Sequence, residues 1–575
     1  MAAVSIFQGP TLKVYGRRSL CADLHTSFNY CTVFPKSELK HKQCRSRGLP
    51  LIKPMASATA LDGPEGSTLR PAVKPYRPSL WADMSFSFDK QLHESYAEAI
   101  EGLKEEVRSM VMGKDSKPKD KMMLIDTLER LGVAYHFEQE IEDQIQLIFK
   151  SHAEDNDDLF TTALYFRLFR QHGYDVPSSV FDKFKDKDNK FNKTLIHDVN
   201  GLLSLYEASY LRYHGENILE EAMVFTTYYL NQAKMQVGSY LQEKVTRALE
   251  QPIHRGVEKV EARYYISIYE KNESKNELLL TLAKLDFNFL QNLYKKEIAD
   301  IFKWWKESNF TSKFPYMRER VMESYFWMVG IHFKPEYSFS RSAATKALVL
   351  ATVLNDTYGN YATLEELDIF TDILQRQFTQ LSTYESTHTK CFGLLEHKQT
   401  ANAYYKKAKW YKGGEMPTFE DHISNGYHAS AAAVILTAIF LGMESASKEA
   451  FDWLMSEPQI VVAGGFITRH MNDIGSYERE HEEGVFPTPV DCYMIENGVS
   501  KQEALDKIHE FVEDQWKTIN KEWVVSCVPR HWMKPALNYA RVQDASYKGG
   551  KDMFTSPEEG LGQDIFALFV NPIVI

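Results

Sequence analysis

The chain has 575 residues, 44% hydrophobic and 25% charged, with a formal net charge of -11. That length allows two or three domains with sizeable cores, and the composition excludes a disordered or collagen-like chain. The acidic balance excludes general affinity for nucleic acid, so an anionic substrate would need a local cluster of arginines or metal ions.

Residues 1–54 stand apart. They hold nine basic residues against Asp23 and Glu38, a charge of +7 that leaves -18 on the remainder. Serine and threonine are frequent and no long apolar stretch follows the first basic residues, which is the profile of an organelle transit peptide or of a disordered basic extension. Met55 offers an internal start without it.

Beyond residue 80 the pattern is helical. Leu124, Leu128, Leu131 and Ala134, then Phe160, Ala163, Leu164 and Leu168, recur at three- and four-residue spacing. Turn clusters at Gly173–Pro177, Gly413–Pro417 and Gly484–Pro489 punctuate the helices, and hairpin signals are nearly missing. The expected class is all-α, in two helical domains, 61–275 and 276–575. Asp155-Asn156-Asp157-Asp158, directly before Leu159-Phe160, reads as an acidic helix start. The apolar run Ala429–Met443 is interrupted by Ser430 and Thr437 and is shorter than the ~20 residues of a membrane span. It reads as a buried helix, and no span is expected. Six cysteines without a Cys-x-x-Cys pair make no disulfide framework.

The chemistry lies in the second half. Asn472, Ser476 and Glu480 are spaced i, i+4, i+8, which sets an amide oxygen, a hydroxyl and a carboxylate on one face of a helix. These are hard-oxygen ligands of the kind Mg²⁺ accepts, although alone they also describe a polar helix face. Around them stand Arg469, Arg318-Glu319-Arg320, Trp327, Leu354-Asn355-Asp356-Thr357-Tyr358-Gly359, Arg77-Pro78-Ser79-Leu80-Trp81 and Trp304-Trp305-Lys306. With these motifs the chain, from about Arg70 to Ile575, resembles the plant class I terpene synthases.

The resemblance implies two α-helical barrels with the active site in the C-terminal one. It also implies a prenyl diphosphate substrate and three Mg²⁺ ions, with Mn²⁺ as a substitute, in a monomer. Asn355, Asp356, Asn472, Ser476 and Glu480 would then be metal ligands, and Arg318, Arg320 and Arg469 would hold the diphosphate. Trp327 and Tyr547 would line the cation pocket, with Asp552 near Tyr547 in a C-terminal lid segment. A plant transit peptide would direct the chain to the chloroplast, and a start at Met55 would leave it in the cytoplasm.

Two departures from the family pattern bear on activity. The motif Asp-Asp-x-x-Asp reads Asn355-Asp356-Thr357-Tyr358-Gly359, so both carboxylates that share a helix face are lost, and Gly359 would suit a helix cap. The two metal motifs lie 117 residues apart, shorter than the family usually shows, with the shortfall placed between Gln380 and Gly413. Three readings therefore stand: a sesquiterpene synthase using farnesyl diphosphate, a plastid monoterpene synthase using geranyl diphosphate, and a catalytically impaired relative. The N-terminal Arg70-Pro71 followed by Trp81, with the second arginine of the monoterpene pattern missing, favours the first.

Overall fold

The computed structural model describes residues 76, 78–113, 116–151, 158–384 and 388–575, with the side chains of 378–395 outside that description. The expectations for residues 1–54, Arg70, Arg77 and Asp155–Asp157 fall outside it too. The described residues belong to one compact unit, Arg70–Ile575. Among them every regular element is helical, and the lone β-bridge joins Lys185 to Phe191. Asp158 caps the helix Leu159–Gln171, its carboxylate accepting from the Thr161 N–H at 2.8 Å, so the acidic cluster ends in a helix start as its position predicts.

Asn276 begins a helix of 32 residues, Glu277–Ser308, by accepting from the N–H groups of Leu278 and Leu279. The opposite end closes at Asn309 in the left-handed region, φ 53°. This long helix packs on Lys90–Met112 from the N-terminal half and on Val321–Ile331 and Ser338–Asp356 from the C-terminal half. Ser338–Asp356 in turn packs on Ala432–Phe440, and Gln459–Glu482 packs on Lys501–Val525 and Arg530–Ser546. A ring of helices results, with the functional motifs at one end.

The segment Phe419–Phe440 is long and apolar enough to cross a bilayer. Here it is broken into Phe419–Ala429 and Ala432–Phe440 at Ala431, φ 57°, and most of it is buried within the protein. It is core, as its interrupted pattern predicts.

Trp81 ties the start of the chain to this core. Its indole N–H donates to Glu323 Oε1 at 2.8 Å, and both side chains are fully buried. Burial pushes the Glu323 carboxyl up to about 7, against the lowering by Trp81 and Arg320. A group that binds its proton more tightly folded than unfolded adds stability at low pH and withdraws it as pH rises. Compared with Glu323→Gln, which keeps the bond from Trp81, wild type therefore loses stability between pH 4.5 and about 7 and stays level above. Thermal denaturation of both proteins across that range checks this; a constant difference in Tm would refute it.

Candidate active site

The helix Gln459–Glu482 carries the oxygen ladder to the wall of a cavity of about 130 Å³. Arg469, Asn472 and Glu480 line it from this helix, opposite Arg318, Trp327, Asn355 and Gly359, with Tyr547 closing one side. Burial alone would raise the Glu480 carboxyl, yet Lys407, Arg469 and Arg479 hold it down at about 2. Ser476 is fully buried beside it, its hydroxyl making no well-formed hydrogen bond. Arg469 lies 2.5 Å from Asp473 and donates to the Asn472 amide oxygen, while the Asn472 amide N–H donates to the Tyr547 hydroxyl at 3.2 Å. A larger cavity of about 610 Å³, walled by Arg130, Arg247, Glu258 and His332, lies away from both motifs.

The first motif is arranged differently from its expected role. Asp356 is 0% exposed, and both of its carboxylate oxygens are taken by Arg318. The Arg318 backbone N–H donates to Oδ2 at 2.7 Å, and its Nε–H to Oδ1 at 2.9 Å. Asn355 does face the cavity. Gly359 does not cap the helix: the chain passes through a π-helical turn, Thr357–Tyr361, and becomes extended only at Ala362. The Tyr411 hydroxyl holds this turn, lying 2.8 and 2.7 Å from the carbonyl oxygens of Tyr358 and Gly359.

Three other expected residues support the wall. Arg320 does not line the cavity; its guanidinium donates to the Thr555 carbonyl at 2.6 and 3.1 Å. Asp552 accepts from the Thr555 N–H and from Arg479, each at 3.0 Å. Trp327 does line it, its indole N–H donating to Ser546 Oγ at 2.9 Å and its ring 4.7 Å from Phe554. The segment 547–555 is thus tied down by Arg318, whose guanidinium reaches Thr555 Oγ1 at 2.9 Å, and by Arg320 and Arg479. Gly475 lets it come close: a Cβ there would stand 2.9 Å from the Lys551 backbone.

Sequence reasoning missed several wall residues, Arg479 and Phe554 among them. Tyr404, Lys407 and Tyr411 occur at i, i+3, i+7 on the helix His388–Gly413, one face whose spacing was the available signal. Tyr76 also lines the cavity; burial pushes its hydroxyl up to about 12, and it accepts from the Asn360 amide.

The donors fit one divalent cation and do not fit three. Asn472, Ser476 and Glu480 supply an amide oxygen, a poorly bonded buried hydroxyl and an ionised carboxylate. The first motif offers only the neutral oxygen of Asn355, since Asp356 is enclosed and Gly359 has no side chain. Among the described residues no three His, Cys, Asp or Glu side chains cluster as a metal site.

A helical ring with an oxygen ladder facing arginines over an aromatic cavity is the terpenoid-cyclase architecture. The chain matches the family description "Terpene synthase, N-terminal domain" over residues 80–249. It matches "Terpene synthase family, metal binding domain" over 306–395 and 379–518. Those two stretches overlap at 379–395, so the match is discontinuous where the shortfall is expected. The gamma-curcumene synthase of Pogostemon cablin is 41% identical, over 85% of this chain and 95% of that one. The gamma-cadinene synthase of Ocimum basilicum is 42% identical, over 88% and 98%. Isoprene synthase from grey poplar, in complex with three Mg²⁺ ions and dimethylallyl-S-thiolodiphosphate, superposes with a TM-score of 0.78 at 31% identity, over 84% and 98%. The chain belongs to the terpene synthase family.

Proposed function

We propose that this protein ionises farnesyl diphosphate and forms a sesquiterpene. The observation that carries the reading is the ladder of Asn472, Ser476 and Glu480, with Arg469 on the same helix, facing Arg318 across a cavity walled by Trp327, Tyr404 and Tyr547. The sesquiterpene synthases at 41–42% identity support the choice of substrate.

Asn472, Ser476 and Glu480 would hold a divalent cation, Mg²⁺ or Mn²⁺, which when bound would supply Lewis-acid assistance to departure of the diphosphate. Arg318 and Arg469 present planar guanidinium groups to the same oxygens. Trp327, Tyr404, Tyr547 and Phe554 exclude water from the carbocation and offer it ring faces. The cavity of about 130 Å³ is below the roughly 300 Å³ at which ligand sites begin, so the prenyl chain enters by displacing part of the wall. The segment 547–555, held by polar contacts and containing Gly549 and Gly550 at positive φ, is the part suited to move.

A second reading, impaired turnover with the fold retained, is favoured by the enclosure of Asp356. Incubating the protein with farnesyl or geranyl diphosphate and Mg²⁺, then analysing volatiles by gas chromatography–mass spectrometry, decides between them. A sesquiterpene from farnesyl diphosphate is the expected result. Product from geranyl diphosphate alone would replace the substrate, and none from either would establish the impaired reading. The division of the chain near 275, action as a monomer, and plastid import through residues 1–54 belong to the same proposal; a fluorescent fusion of that segment tests the last.

A further inference from the structure

We infer that Lys407 replaces part of the family's metal charge, so that the diphosphate is held by one divalent cation together with side-chain cations. This rests on reading the cavity as a diphosphate site.

A hard divalent cation is held chiefly by carboxylate and phosphate oxygens, whereas an ammonium is held by its own stem. The first motif has lost the anionic ligands that two ions would need. Asn355 is neutral, Gly359 has no side chain, and Asp356 gives both oxygens to Arg318. Lys407 projects into the same cavity that Asn355 and Gly359 line. The lysine pairs with Glu480 loosely: its Nζ lies 3.5 Å from Oε1, beyond the 2.7–2.9 Å of a charge-assisted hydrogen bond. Its N–H groups remain available to an anion. Of the four cations that line the cavity, Arg318, Arg469 and Arg479 lie within 3.0 Å of Asp356, Asp473 and Asp552, which leaves Lys407 the least closely paired.

The test uses inorganic diphosphate and Mn²⁺ on the full chain. Calorimetry in EDTA is expected to detect diphosphate binding to wild type, weakened by about tenfold or more in Lys407→Gln and largely restored in Lys407→Arg. Electron paramagnetic resonance with diphosphate present is expected to count one bound Mn²⁺ per chain. Two or three bound Mn²⁺, or diphosphate binding that vanishes in EDTA, overturns the inference while leaving the proposed function standing. Failure to bind diphosphate with and without metal overturns both. The metal count on wild type stands even where Lys407→Gln fails to fold. Asn355→Asp with Gly359→Asp is expected to raise the count, since a Cβ at 359 meets only the Tyr411 hydroxyl at 3.9 Å.

Discussion

A Glu480→Ala protein is expected to lose at least about a hundredfold in terpene formation from farnesyl diphosphate, in the upper range for disrupted metal sites. Glu480 is the single carboxylate of the ladder, and its ionisation at a buried position depends on Lys407, Arg469 and Arg479. Its removal takes away the anionic metal ligand and leaves those three cations without their shared counter-charge. Some stability is lost too, so activity is referred to folded protein measured by circular dichroism. Glu480→Gln, which preserves volume, is expected to lose activity to a similar degree. Both variants should still bind inorganic diphosphate in EDTA at least as well as wild type, because the cavity has become more positive. Loss of Mn²⁺ binding with retained diphosphate binding separates the role of Glu480 from that of the cations. An alanine variant that keeps a tenth or more of the activity would show that the ladder does not hold the metal.

The parts of this site that are legible in the sequence are those set by local geometry. Helical periodicity determines the class, and the i, i+4, i+8 spacing alone puts Asn472, Ser476 and Glu480 on one face of Gln459–Glu482. What escapes depends on partners far along the chain. Asp356 looks like a surviving ligand until Arg318, 38 residues earlier, closes on it. Gly359 looks like a cap until Tyr411, 52 residues later, binds its carbonyl and holds a π-helical turn open. Arg318 and Arg320 look equivalent, but in the irregular chain leading into Val321–Ile331 they diverge, one to the cavity and the other to the Thr555 carbonyl. Lys407 is one of several lysines on its helix, and only its register with Tyr404 and Tyr411 distinguishes it from Lys406 and Lys409.

Arg318→Met is expected to destabilise the protein by about 3–5 kcal/mol, the cost of stranding a buried charge. Asp356 is fully enclosed, and without the guanidinium its carboxylate keeps only the Arg318 backbone N–H, at 2.7 Å. Asp356→Asn alone costs less, since the freed guanidinium still faces the cavity and bonds to Thr555 Oγ1 at 2.9 Å. In the double variant Arg318→Met with Asp356→Asn neither charge is left unpaired, so most of the loss returns. The double-mutant cycle from urea denaturation is therefore expected to give a coupling of about 2 kcal/mol or more. Additive losses, with reduced Mn²⁺ binding in Asp356→Asn and no change in its stability, would instead return Asp356 to the metal. The same cycle thus decides whether this aspartate ligates a metal or serves as the internal counter-ion that sets Arg318 at the cavity wall.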